Sequence, residues 1–153
     1  MNCETFDFLV VKWWGNLKEE LCMAWILNEN EIQALLDAPA EKRYKYFLNH
    51  VAGMQELWSL KNESGWVLCG DKDGQIIIPV WPHRFYAQKC SVGEWKGCEP
   101  QSISTTDWLM KWTPGMIKDK RVVAVFPIPS GKGVIVNPAY LEKDLKEELS
   151  QYE

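Results

Sequence analysis

Any catalysis or metal binding by this chain has to draw on two histidines, His50 and His83, and five cysteines, Cys3, Cys22, Cys69, Cys90 and Cys98. Imidazole is the usual general base near neutrality. His83 follows Trp81-Pro82 at an expected strand-to-helix junction. With Glu94 or Glu99 to orient its ring, it could act as the base of a small hydrolase or transferase. Cys90 lies seven residues after His83, on the same side of one helix but about two turns away, too far for a direct Cys–His dyad. His50 comes four residues after Tyr46 and seven after Arg43. That spacing forms one polar helix edge, Arg43/Tyr46/His50, which reads either as a secondary binding edge or as a partly exposed flank.

The cysteines are odd in number, irregularly spaced and without a CxxC pair. A disulfide scaffold wants an even set, and a zinc site wants clustered ligands, so Cys90, Cys98 and His83 are not expected to hold a metal. Reduced thiols in a cytoplasmic protein are the expectation, with no cofactor and no metal. Asp71-Lys72-Asp73-Gly74 looks like the opening of a calcium loop, but Pro82 occupies the twelfth position, where that loop needs Glu. Ser130-Gly131-Lys132-Gly133 lacks the spacer and the Ser/Thr of a phosphate loop. Both segments read as turns.

Nine tryptophans are the unusual feature of the composition. Trp66, Trp108 and Trp112 fall in expected elements and read as core. Trp81 and Trp95 flank the segment that carries His83, Arg84 and Tyr86. Trp, Tyr and Arg supply much contact area for little lost entropy, so these five residues form the expected binding surface, with Arg43, Tyr46 and His50 secondary. The competing reading is a lid over a small core that needs large side chains.

The elements that position these residues can be read from local signals. Asn28 with Glu31 has capping-box spacing and opens a short helix through Ile32, Leu35 and Leu36. Pro39 suits the first turn of a second helix reaching about Val51, whose stripe is Tyr44, Phe47, Leu48 and Val51, with Gly53 as its stop. Strands are expected at Leu57–Lys61, Gly65–Cys69 and Gln75–Val80, with a tight turn at Asp73-Gly74. Pro79 should end the third strand or lie at an edge. Pro82 reads as the first position of a helix from His83 to Cys90, and a short strand is expected near Ser102. Ser104 and Asp107 open a helix whose end is complicated by Thr113-Pro114-Gly115. Apolar strands at Arg121–Phe126 and Gly133–Val136 precede a last helix that starts at Asn137-Pro138. The fold class is α+β: a mainly antiparallel sheet of about five strands, with two helices at the N-terminal side and one at the C-terminus.

The chain has 153 residues and a net charge of −4, with 46% hydrophobic and 25% charged residues. That supports one domain with a real core and argues against disorder, a membrane span or a dedicated nucleic-acid binder. Residues 1–22 differ in texture and read as an N-terminal appendage upstream of an alternative start at Met23, with residues 23–153 as a single domain.

Arg43-Tyr44-Lys45-Tyr46-Phe47-Leu48, Gly65-Trp66-Val67-Leu68, Pro79-Val80-Trp81-Pro82-His83, Gly93-Glu94-Trp95 and Val123-Ala124-Val125-Phe126-Pro127 occur in this order. Together they resemble the bacterial domain-of-unknown-function family 2750, from about residue 23 onward. The family implies no activity and no cofactor. A weaker likeness, on Val136-Asn137-Pro138 and the helix after a Pro-containing strand, is to SseB-like type III secretion enhancer domains. It implies a protein-interaction module of a secretion or toxin system. The function expected from the sequence is therefore non-enzymatic protein binding through the Trp-rich surface. The partner is another protein rather than nucleic acid or membrane, and the chain is a monomer or weak homodimer. The His83 hydrolase or transferase is the alternative.

Overall fold

A computed structural model describes residues 29–70 and 73–152. The chain divides into two compact units, Met1–Asp37 and Ala38–Glu153. The expected boundary at Met23 and the Asn28 cap lie outside the described residues. Within the first unit, helix α1 (Glu29–Asp37) is tied along one side by Gln33 Nε2 donating to Asp37 Oδ1 at 3.0 Å.

The second unit opens with α2 (Ala40–Met54), for which Pro39 supplies the extended N-cap. The expected stripe buries Phe47, Leu48 and Val51. Gly53 does not stop this helix. It ends at Gln55, which takes the left-handed conformation (φ 60°) and donates its N–H to Val51 O. Next come β1 (Glu56–Asn62), β2 (Gly65–Trp66), β3 (Cys69–Gly70) and β4 (Ile76–Val80). The single strand expected at 65–69 is thus two strands in different sheets: β2 pairs with β1, and β3 pairs with β4 through Cys69↔Ile77. The chain changes sheets at Val67-Leu68, where Val67 N–H still reaches Leu60 O. Gly74 has φ 78°, the left-handed value the Asp73-Gly74 turn requires.

Helix α3 (Arg84–Lys89) starts later than its Pro82 suggests, because His83 is its N-cap: Nδ1 accepts from Phe85 N–H at 3.0 Å. A 3₁₀ turn (Gly93–Trp95) leads to β5 (Glu99–Ser104), which lies antiparallel to β1 from Glu56↔Ser104 to Lys61↔Glu99. Ser104 then caps α4 (Thr105–Asp107), its Oγ accepting from Asp107 N–H at 3.1 Å. Helical winding continues through Pro114 as a π segment (Trp108–Trp112) and α5 (Thr113–Lys118). Thr113 N–H bonds five residues back to Trp108 O, a wider register just ahead of Pro114, whose missing N–H would interrupt a regular ladder. Strands β6 (Val122–Val125) and β7 (Val134–Val136) and helix α6 (Pro138–Ser150) complete the unit; Asn137 Oδ1 caps α6 by accepting from Ala139 N–H at 2.9 Å.

The class is α+β as expected, with the strands in two sheets, β2-β1-β5 and β3-β4-β6-β7. Reciprocal backbone bonds of 2.9 and 2.8 Å between Trp58 and Trp81 join them. The pairing is mainly antiparallel, as expected, and β4–β6 is the one parallel pair among the described strands. The connection between these strands is long enough for a crossover because it contains α3, β5 and the π-interrupted helix. Pro79 is the next-to-last residue of β4, close to the expected strand end, and is compatible with the ladder. Val80 O accepts from Phe126 N–H on the β6 side, so Pro79 faces the other way, past the end of β3. There its carbonyl accepts from the buried Ser59 Oγ at 2.7 Å.

Candidate functional site

Side chains alternate across a strand, so register decides which residues share a face. Ile78, Val80, Val123 and Val125 lie on one face of the four-stranded sheet and are buried. Helix α2 packs on β6 and β7 and against α6 to close this side. The opposite face carries Cys69, Ile77, Pro79, Ala124 and Ile135, aligned by Cys69↔Ile77, Pro79↔Ala124 and Ala124↔Ile135. Among the described residues, no helix covers that row. It forms the floor of a trough of about 870 Å³, with Val92 and Trp95 from the 3₁₀ turn and Pro127 and Ile128 from the β6–β7 connection along its walls.

The β6–β7 wall is rigid for identifiable reasons. Phe126 adopts φ 55°, the left-handed region that costs a non-glycine residue about 1–2 kcal/mol. Its amide bonds to Val80 O at 2.8 Å, and its ring is fully buried, 4.7 Å from Tyr86 and 6.2 Å from Tyr46 by centroid. Buried Arg43 reaches under the loop. Nε donates to Phe126 O (3.1 Å), Nη2 to Lys132 O (3.0 Å) and Nη1 to Ala38 O. Burial lowers the pKa of this guanidinium, yet it stays charged, and charge-assisted bonds to carbonyls are the stronger kind. Pro127 O accepts from Trp81 Nε1 at 2.8 Å and from the Cys90 thiol at 3.4 Å. At the far end of the loop, a Cβ on Gly133 would stand 2.2 Å from Val125 O, so the backbones approach too closely for any other residue.

The expected binding residues divide accordingly. Trp81 and Tyr86 are 0% and 1% exposed. Both belong to the core, which corrects the expectation that they form a contact surface: their rings fill the space beneath Phe126 and Pro127. Trp95 is half-buried, edge-on to Trp81 at 6.0 Å, and it does border the trough. Arg84 is exposed on α3. Among the tryptophans read as core, Trp108 is fully buried, whereas Trp66 and Trp112 are half-buried and meet edge-on at 4.8 Å.

Tyr46, His50 and His83 form a second cluster. His50 stacks on Tyr46 (5.5 Å, with Tyr46 Oη 3.5 Å from Nδ1) and meets His83 edge-on at 6.0 Å. Burial, then the neighbouring His83, brings His50 down to about 4; burial, then Arg84, lowers His83. Because His83 Nδ1 accepts the Phe85 amide, the neutral ring carries its proton on Nε2. The lone pair a general base needs is therefore already engaged in the helix cap. Glu94 lies along the trough, and Glu99 is exposed on β5 opposite Lys61.

Cys69 and Cys90 both line the trough. Burial, then Glu94, raises the Cys69 thiol, and burial pushes Cys90 up to about 11. Both are protonated at neutral pH and behave as soft apolar lining rather than nucleophiles. Cys98 is a buried free thiol near Asn62 Nδ2 at 3.8 Å. Among the described residues, no cluster of three His, Cys, Asp or Glu side chains could hold a metal ion, and no helix is long and apolar enough to cross a membrane.

The sequence reading missed the trough floor. Its signal was the unbroken apolar runs Ile76-Ile77-Ile78, Val122-Val123-Ala124-Val125 and Val134-Ile135-Val136. A strand apolar on both faces needs a second cover or a ligand, whereas one that faces water alternates. No curated protein and no solved structure matches the chain. The family described as Protein of unknown function (DUF2750) matches residues 44–145, a span that includes every floor residue of the trough, and the chain belongs to that family.

Proposed function

We propose that this protein acts by binding, and that its site is the trough on the outer face of the β3-β4-β6-β7 sheet. The observation that carries the proposal is the 870 Å³ apolar hollow whose floor is one face of the sheet, with Cys69 beside Ile77 and Pro79, Ala124 and Ile135 in register. Its size falls in the range of small-molecule sites, and a few charged groups border an apolar interior, as such sites do. The occupant is a small molecule with an apolar body, with Trp95 as the aromatic wall. Protonated Cys69 and Cys90 favour binding over nucleophilic chemistry, and free thiols suit a reducing, cytoplasmic setting. Arg43, Trp81 and Cys90 are positioning residues that hold the loop wall in place.

The test is amide-resolved NMR of the full chain with 2-naphthol as an uncharged probe. Binding should shift the amides of Cys69, Ile77, Ala124 and Ile135 together. Ile135 is 47% exposed, so Ile135→Asp should place a charge on the floor with little change in melting temperature and weaken binding about tenfold. Shifts that scatter over the surface, or the absence of binding at millimolar probe, would refute the proposal.

A further inference from the structure

Charged residues of both signs border the trough. At the β3 end lie Glu94, close enough to Cys69 to raise its thiol pKa, and Asp73 from the β3–β4 turn. Two residues before β7, on the opposite edge strand of the sheet from β3, lies Lys132, an exposed residue whose carbonyl is clamped by Arg43. The ion pairs among the described residues are Lys111–Asp107 and Lys146–Glu142, and neither Glu94 nor Lys132 takes part in one. The floor between them is apolar and crosses four strands, a distance of about 14 Å at the usual strand spacing. A carboxylate near β3 and an ammonium near β7, with an apolar floor between, suit a ligand with the complementary pair.

We infer that the trough takes an elongated amphiphile charged at both ends: an apolar body about 14 Å long, a protonated amine at Glu94 and a carboxylate or similar anion at Lys132. The inference rests on the binding function proposed above and adds the chemical class and the orientation of the ligand. The apolar body supplies the affinity, since it displaces water from the floor. The charges are near the rim and partly solvated, so each adds little affinity but fixes which way round the ligand lies.

Calorimetric titration of the full chain at low salt with ω-aminoundecanoate, undecylamine, undecanoate and undecanol separates these contributions. Undecanol should bind, each single charge should strengthen binding about threefold, and ω-aminoundecanoate should bind tightest. Glu94→Gln should erase the gain from the amine and Lys132→Gln the gain from the carboxylate, both leaving undecanol unchanged. The exchanged double variant Glu94→Lys/Lys132→Glu should recover the preference for the doubly charged probe. If undecanol binds as well as ω-aminoundecanoate, or one singly charged probe binds best, the inference about polarity is overturned and the binding site stands. If undecanol itself does not bind, the binding function falls first.

Discussion

Acid should destabilise this fold through two half-buried imidazoles, and His50→Phe isolates the share of His50. His50 is held from its ordinary 6.5 down to about 4, first by burial and then by His83, while burial and then Arg84 lower His83. A histidine whose folded pKa is depressed favours the neutral form. Its contribution is therefore complete above pH 6.5 and is lost as the pH falls towards the folded value. A displacement of this size corresponds to about 3 kcal/mol in full, of which about 2 kcal/mol disappears between pH 7 and pH 5. Phenylalanine preserves the stacking on Tyr46 and removes the titration. Urea unfolding followed by tryptophan fluorescence at both pH values should show the parent chain losing about 2 kcal/mol more than His50→Phe. Carboxylate contributions are common to both chains and cancel in the difference. Equal losses in parent and variant would mean that His50 titrates as an exposed imidazole, and the reasoning from its burial would be wrong. An NMR titration of the His50 ring protons gives the same answer independently.

Two further outcomes follow from the loop wall. Arg43→Met should cost about 3–5 kcal/mol by denaturant unfolding, because the carbonyls of Phe126, Lys132 and Ala38 lose their shared donor, and Arg43→Lys should recover only a minor part, since an ammonium cannot span the fork. Gly133→Ala should cost at least about 3 kcal/mol in the same assay, because the contact at 2.2 Å is with backbone that cannot move aside, whereas Gly131→Ala meets only the flexible Ile128 side chain at 3.5 Å and should change stability much less.

The two candidate regions differ in how far they could be read in advance. The Tyr46/His50 edge was legible because spacing on one helix determines who is adjacent, yet its junction with His83 required α2 and α3 to meet. Trp95, expected in a contact surface, and Glu94, expected as an orienting carboxylate for His83, both border the trough. Trp81 and Tyr86, read alongside them, turned out to be core, since an aromatic-rich sequence does not say which rings face inward. The trough floor escaped notice because its residues come from β3, β4, β6 and β7, and the apolar run in a strand does not say which strands it will lie beside.

What the chain determined by itself is local. The Asn137 and Ser104 caps, the left-handed glycine after Asp73 and the Phe47/Leu48/Val51 stripe each depend on a few consecutive residues, and each is found where those residues place it. Tertiary structure decided everything that depends on a distant partner. It split residues 65–70 between two sheets, made β4 and β6 parallel, carried a helix past Pro114 with a π register, and used His83 as a cap. The reason is the range of the forces involved. Caps and turns satisfy backbone groups within a turn of the chain, whereas strand pairing and burial are settled only when segments far apart in sequence compete for the same neighbours.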